Sequence, residues 1–243
     1  MKCIILAAGY ATRLYPLTEN FPKPLLPVRG RAILDILIDD VDRCGLIDEY
    51  IVISNSKFYS HFVKWSEARP QPITVLDDGT SSNDTRLGAV RDIEVAIKAL
   101  NIDSDALIMA GDNLLSFSLC TFVDYAVRKG GSCVMRYYEP DTARLSKSGV
   151  LVLGEYDKVI KMQEKPKEPE SSWCCPPFYF MTRPALNRVS EALFDGCGAD
   201  APGSLIEWLA PRETVFAMEM PGRRYDIGNL ESYRRVEKEY IPV

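Results

Sequence analysis

Residues 4 to 28 constrain this chain more than any other stretch. The apolar run Ile4-Ile5-Leu6-Ala7-Ala8 leads directly into the small residues Gly9 to Thr12, with Arg13 next. A buried strand ending in a tight turn lets backbone N–H groups approach a ligand closely. Arg13 supplies a fixed fork of donors just after the turn, and Lys23 follows between two prolines in Pro22-Lys23-Pro24. Close amides with two fixed cations suit a polyphosphate. Two other phosphate devices fit poorly. The dinucleotide fingerprint needs three glycines, and this turn holds only Gly9. The Gly-Lys-Ser/Thr of the Walker loop is absent from the chain. A turn shaped by Gly9 and prolines, with Arg13 merely solvated, would explain any one of these residues but not the set.

The rest of the composition narrows the chemistry. With 243 residues, 47% of them hydrophobic, the chain can bury a core for one large α/β domain. The formal net charge of −5 argues against nucleic acid or an anionic membrane surface as partner. No segment has the length of a membrane helix. The Met1-Lys2 start is followed by a short apolar run and then Arg13, Pro16 and Glu19, a core first strand rather than a leader. The seven cysteines show no zinc spacing, and their odd number favours reduced thiols and a cytoplasmic location. His61 is the only histidine, which excludes His-based triads and His-rich metal sites. A metal here must be held by carboxylates, as a hard ion such as Mg2+ would be.

Periodicity predicts alternating strands and helices in the first half. Strands are expected at Cys3 to Ala8, Tyr50 to Ser54, Ile73 to Leu76 and Ala106 to Ala110. Helices are expected at Ala32 to Cys44, Phe58 to Trp65 and Leu87 to Leu100. The segment from Asp77 to Arg86 reads as a polar loop. The second half carries strands at Ser132 to Tyr138, Gly149 to Leu153, Val159 to Met162, Phe178 to Met181 and Thr214 to Met220. Its helices are Pro184 to Phe194, Ser204 to Leu209 and Leu230 to Tyr240. The expected fold is a single doubly wound, Rossmann-like α/β domain over residues 1–243, with a mostly parallel mixed sheet and a small β-rich lobe. Residues 1–131 and 132–243 form its two halves.

In such sheets ligands bind at the carboxyl ends of strands. Three features fall there: Gly9 to Arg13, the loop after Leu76, and Gly111-Asp112-Asn113. Asp112 surfaces from the buried run Leu107 to Ala110, and beside a polyphosphate site it becomes a candidate magnesium ligand.

The first segment resembles the signature of the sugar-phosphate nucleotidyltransferases, Gly-x-Gly-x-Arg-Leu-x-Pro-Leu-Thr followed by Pro-Lys-x-Leu. Ala11 stands where that family has its second glycine. Gly111-Asp112-Asn113 is similar to the family's metal motif, and Tyr225-Asp226-Ile227-Gly228 to the context of its second metal aspartate. Glu164-Lys165-Pro166, after Ser148-Gly149-Val150, resembles its acceptor element. The strand Phe178-Tyr179-Phe180 follows in the family's order, with prolines at 176 and 177 in place of small residues. Gly88 matches a family glycine, but the glutamine that precedes it in thymidylyl- and uridylyltransferases is missing.

The resemblance implies a nucleotide held by Leu6, Ala8, Gly9, Tyr10, Ala11, Thr12, Arg13, Lys23, Asp78, Asn83, Gly88 and Asp112. It implies an acceptor held by Asn113, Gly149, Glu164, Lys165 and Tyr179, and Mg2+ on Asp112 and Asp226, so that residues 1–131 would be mainly the nucleotide-binding half and 132–243 mainly the acceptor-binding half. Arg13 would hold the departing pyrophosphate and Lys23 the charge at the α-phosphate. The phosphate of a sugar 1-phosphate is already an anionic nucleophile, so no general base is needed. The expected reaction joins an NTP to a sugar 1-phosphate and releases pyrophosphate. A cytidylyltransferase acting on a small non-sugar phosphate, such as phosphocholine or a phosphorylated amino-acid derivative, is the alternative. A glycosyltransferase would show Asp-x-Asp, and a nucleotide-sugar sensor would lack a catalytic group. Assembly into a homo-oligomer stays open.

Overall fold

The computed structural model describes residues 1–242. In chain order the strands and helices of its first half are β1 (Lys2–Leu6), β2 (Pro27–Val28), β3 (Arg31–Ala32), α1 (Ile33–Asp42), β4 (Glu49–Ser54), α2 (Tyr59–Ser66), β5 (Ile73–Asp77), α3 (Ala89–Leu100), β6 (Ala106–Ala110), β7 (Asn113–Leu115) and α4 (Cys120–Lys129). The second half adds β8 (Ser132–Tyr138), α5 (Thr142–Leu145), β9 (Gly149–Leu153), β10 (Val159–Glu164), β11 (Trp173–Cys175), β12 (Phe178–Met181), α6 (Arg183–Asn187), α7 (Val189–Phe194), α8 (Gly203–Leu209), β13 (Val215–Glu219), β14 (Arg224–Asp226) and α9 (Leu230–Glu239). Most boundaries fall within a few residues of those expected from periodicity. The helix expected from Pro184 to Phe194 is interrupted at Arg188, which lies between α6 and α7 with φ −94° and ψ 0°.

The chain forms two compact units, and each is discontinuous in sequence. The first comprises Met1–Arg86, Met109–Thr121 and the chain from Pro221 on. Its sheet is parallel: β1 pairs with β4, and β4 with β5. Cys3, Ile4 and Ile5 of β1 and Tyr50 to Ile53 of β4 have no exposed surface, as strands covered on both faces require. The register pairs Leu6 with Ile53 and Ser54 with Asp77. These strands therefore end together, and the loops after Leu6, Ser54 and Asp77 leave from one edge. Gly111, just past β6, donates its N–H to the Leu6 carbonyl at 3.0 Å, which brings the 111–113 turn to the same edge. The short ribbon of β7 and β14 is antiparallel and sets Asp226 opposite Asn113. Asn229 caps α9 by accepting from Ser232 N, so the helix begins four residues after Asp226.

The second unit comprises Leu87–Ile108 and Phe122–Met220. Here β8 pairs antiparallel with β11 and β12 and parallel with β13, while β9 pairs antiparallel with β10 and β11. The mixed and antiparallel character expected of the later strands is observed. The register sets Gly149 opposite both Glu164 and Cys175. The parallel and mixed strands with helices between them are those of a Rossmann-like α/β fold.

The expectation of wholly reduced thiols is corrected by one pair. Cys44 and Cys120 form a disulfide, with Cα atoms 5.3 Å apart and a separation of 76 positions in sequence. The other five lie outside any disulfide, and four of them are buried. Among the described residues no helix is long and apolar enough to cross a membrane.

Candidate active site

The turn after β1 is fastened by side chains from both neighbouring loops. Asn55, fully buried at the end of β4, donates its Nδ2 to the Ala8 carbonyl at 2.8 Å. Tyr10 is buried and its hydroxyl lies 3.3 Å from Thr80 Oγ1, in the loop after β5. Thr80 in turn donates its N–H and hydroxyl to Asp78 Oδ1, each at 2.7 Å. Burial lifts the Asp78 carboxyl above its ordinary value, with Asp77 adding to the rise and the Thr80 hydrogen bonds opposing it. Ala11 adopts the left-handed conformation, φ 47° and ψ 41°. That torsion is the one a glycine would take freely, and here an alanine carries it at a cost of about 1–2 kcal/mol. Its carbonyl accepts from Thr18 Oγ1 at 2.8 Å and from Leu14 N at 2.9 Å. Gly9, Thr12 and Arg13 are exposed, and a Cβ at Gly9 would meet nothing within 4 Å. Asn83 is also exposed, in the short turn Asn83–Thr85.

Lys23 sits in the single turn Lys23–Leu25 and is buried. Its Nζ reaches Asp112 Oδ2 at 2.6 Å across 89 residues of sequence. The other oxygen, Oδ1, accepts from Asn113 Nδ2 at 2.6 Å, and Arg224 Nη1 donates to Asn113 Oδ1 at 2.7 Å. Arg224 also lies 4.0 Å from Asp226 Oδ1. A chain of charge-assisted contacts thus runs from Lys23 through Asp112 and Asn113 to Arg224 and Asp226. Burial by itself would raise the Asp112 carboxyl. The Lys23 ammonium, the Asn113 hydrogen bond and the Arg224 guanidinium outweigh it and hold the group below its ordinary value.

Asp112 and Asp226 keep side-chain exposures of 34% and 57%. They are hard oxygen donors, and Asp112 is held ionised. No cluster of three or more His, Cys, Asp or Glu side chains suited to a metal occurs among the described residues. Two carboxylates have the donor chemistry a hard divalent ion prefers, and such an ion would take its remaining ligands from phosphates and water.

In the second unit Glu164 is confined by glycines. A Cβ on Gly203, at the start of α8, would overlap the Glu164 carboxylate, and one on Gly149 would stand 3.3 Å from Glu164 Oε2. Burial raises the Glu164 carboxyl above its ordinary value. The Lys165 ammonium opposes this, and Glu207 and Asp200 add to it. Lys165 is exposed, takes φ 50°, donates its N–H to the Ser148 carbonyl and places its Nζ 3.8 Å from Glu164 Oε1. Tyr179 is buried in β12. Gly88 has φ 92°, and a Cβ there would stand 2.5 Å from the Ala199 carbonyl oxygen. The next two amides, Ala89 and Val90, donate to the carbonyls of Asp200 and Ala199.

The family model for nucleotidyl transferases matches residues 2–242. The chain belongs to the nucleotidyl transferase family. The UTP–glucose-1-phosphate uridylyltransferase AglF of Haloferax volcanii is 28% identical over 250 residues, covering 98% of this chain and 96% of that protein. The bifunctional protein GlmU of Methanococcus aeolicus is 32% identical over 175 residues, 71% of this chain but only 38% of that protein. Among solved structures, a UDP-glucose pyrophosphorylase complexed with UDP-glucose superposes with a TM-score of 0.83 at 19% identity, over 98% of this chain and 97% of that one.

In this nucleotidyl transferase the first unit gathers Leu6, Ala8 to Arg13, Lys23, Asp78, Asn83, Asp112, Asn113 and Asp226. The second holds Gly88, Gly149, Glu164, Lys165 and Tyr179. Asn113, expected at the acceptor, is 3% exposed and has both ends of its amide engaged by Asp112 and Arg224. Sequence reasoning missed Asn55, Thr80, Gly203 and Arg224. Asn55 left a signal, a polar residue directly after an apolar strand. Gly203 and Arg224 left none, because their partners lie far away in the chain.

Proposed function

We propose that this nucleotidyl transferase moves a nucleoside monophosphate from an NTP to a sugar 1-phosphate, forming an NDP-sugar and pyrophosphate. The observation that carries the reading is the Lys23–Asp112 contact of 2.6 Å. It joins the lysine of the Pro-Lys-Pro segment to the aspartate of Gly111-Asp112-Asn113, in a chain that matches the family from residue 2 to 242.

In this reading the Gly9 to Arg13 turn, exposed at Gly9, Thr12 and Arg13, receives the triphosphate. Backbone amides and the Arg13 fork hold the phosphates that depart as pyrophosphate. Lys23 carries its charge to the α-phosphate, where negative charge accumulates as the new bond forms. Lys165 fixes the acceptor phosphate, whose own oxygen is the nucleophile, so proton removal is not required and the single histidine is no obstacle. Glu164, wedged between Gly149 and Gly203, accepts from acceptor hydroxyls. Asn113 is assigned to holding Asp112 in place of a direct acceptor contact. Asp112 and Asp226 would hold Mg2+, which when bound supplies charge neutralisation to the phosphates. We place the enzyme in the cytoplasm with its two phosphorylated substrates.

One observation favours a different acceptor. Glu207 and Asp200 lie near enough to raise the Glu164 carboxyl. An acceptor phosphate carrying an ammonium group, such as phosphocholine, would offset that negative charge. A pyrophosphate-release screen of the common NTPs against sugar 1-phosphates and amino-alcohol phosphates tests both readings. Release that depends on a sugar 1-phosphate is expected. Release with amino-alcohol phosphates alone selects the second reading, and no acceptor-dependent release with any pair rejects both.

A further inference from the structure

Asn113 has an amide whose two ends are chemically distinct, and its neighbours decide which way it faces. Asp112, as a carboxylate, can only accept, and Arg224 can only donate. With Asp112 Oδ1 on one side at 2.6 Å and Arg224 Nη1 on the other at 2.7 Å, a single orientation of the amide satisfies both. At 3% exposure Asn113 has little access to water that could replace either partner. The antiparallel register of β7 and β14, Asp226 opposite Asn113 and Arg224 opposite Leu115, brings the guanidinium to this place. The same guanidinium lies 4.0 Å from Asp226 Oδ1.

We propose that Arg224 is a positioning residue for the metal site: through Asn113 it fixes the Asp112 carboxylate, and directly it steadies Asp226. The inference rests on the reading of Asp112 and Asp226 as metal ligands. Its consequence runs against simple electrostatics. Arg224 is a cation beside the place a cation would occupy, so deleting it should tighten metal binding if charge were its only influence. If Arg224 orients the ligands, deleting it should weaken binding, because Asn113 loses the donor that holds its carbonyl and Asp112 Oδ2 keeps Lys23 as the remaining charged contact. Partners that orient metal ligands in this way typically contribute ten- to a hundredfold in affinity.

The test is titration of Mn2+ alone into the full-length chain, with free Mn2+ followed by electron paramagnetic resonance and folding by circular dichroism. Arg224→Ala should weaken Mn2+ binding about ten- to a hundredfold. Arg224→Lys, which keeps a charged donor for Asn113 Oδ1, should recover part of the loss. If the alanine variant does not fold, Arg224→Met, long and without a donor, takes its place. Unchanged or tighter binding in the folded Arg224→Ala or Arg224→Met protein overturns the inference. Weakened binding in Asp226→Asn alongside unchanged binding in Arg224→Ala removes only the role of Arg224. Unchanged binding in both Asp112→Asn and Asp226→Asn, or no binding to the wild-type protein, removes the metal site and the inference together.

Discussion

The two units hold their key carboxylates in opposite ways. In the first, Asp112 is fixed by charge: Lys23 at 2.6 Å, the Asn113 amide at 2.6 Å, and Arg224 behind it. In the second, Glu164 is fixed by shape, confined beside Gly149 and Gly203, with Lys165 at 3.8 Å. The charge network depresses one carboxyl and burial elevates the other. A group meant to stay ionised against a metal or a triphosphate needs the first arrangement. A group meant to meet neutral hydroxyls tolerates the second. The contrast teaches that residues of one reaction need not be held by one kind of force.

The largest expected effect breaks the charged side. Asp112→Asn removes a ligand charge and leaves Lys23 without its partner. A loss in kcat on the order of a hundred- to a thousandfold is expected, the size seen when one preorganised electrostatic group is deleted. Steady-state pyrophosphate release checks it, and a kcat within a few-fold of wild type would return Asp112 to a structural role. Next comes Lys165→Ala. It should cost roughly tenfold or more in kcat/KM for the acceptor, about one charge-assisted hydrogen bond. Equilibrium titration of the NTP alone should be unchanged, and collapse of that affinity would move Lys165 to the nucleotide side.

Gly203→Ala sharpens the contrast by acting on shape alone. The added methyl must displace the ends of the flexible Glu164 and Met162 side chains. A several-fold rise in acceptor KM is expected, with the NTP KM and the melting temperature little changed, because no backbone has to move.

Stability against pH tests the contrast by its sign. The native Asp112 carboxyl lies low, so its contribution is present above the unfolded value near 3.9 and is lost as pH falls through the native one. The native Glu164 carboxyl lies high, so stability declines as pH rises from the unfolded value near 4.3 through the native one. At neutral pH, Asp112→Asn should lower the melting temperature and Glu164→Gln should raise it. Both differences should shrink in acid below about pH 4. Shifts of the same sign in the two variants would contradict the assignment of opposite forces. The smallest effect concerns Ala11, held at φ 47°. Ala11→Gly should stabilise by about 1 kcal/mol, since the relief of left-handed strain exceeds the added freedom of the unfolded chain.

What the sequence made legible follows the same division. The first strand, the turn after it and the Lys23 and Asp112 motifs are local features, readable from runs of neighbouring residues. The helix α4 escaped notice because Phe122, Val123 and Ala126 are diluted by Thr121, Asp124 and Tyr125. The β7–β14 ribbon could not be read, since strands of three residues exist only through pairing across more than a hundred residues. Arg224 and the Asn113 orientation were hidden with it. Likewise the Cys44–Cys120 disulfide depends on the approach of two residues 76 positions apart, which no spacing reveals. The glycine cradle around Glu164 was half visible: Gly149 lies in the recognisable acceptor element, whereas Gly203 lies in a helix start that gives no sign of its neighbour.

The central claim is transfer of the α-phosphorus from an NTP to a phosphorylated acceptor. Separate reactions with NTP labelled at the α-phosphate and at the γ-phosphate, each with a sugar 1-phosphate and Mg2+, test it most directly. The account predicts that the α-label appears in a sugar nucleotide and the γ-label in pyrophosphate, both only when acceptor is present. Release of the γ-label as inorganic monophosphate, or an α-label that never leaves the nucleotide pool, would contradict it.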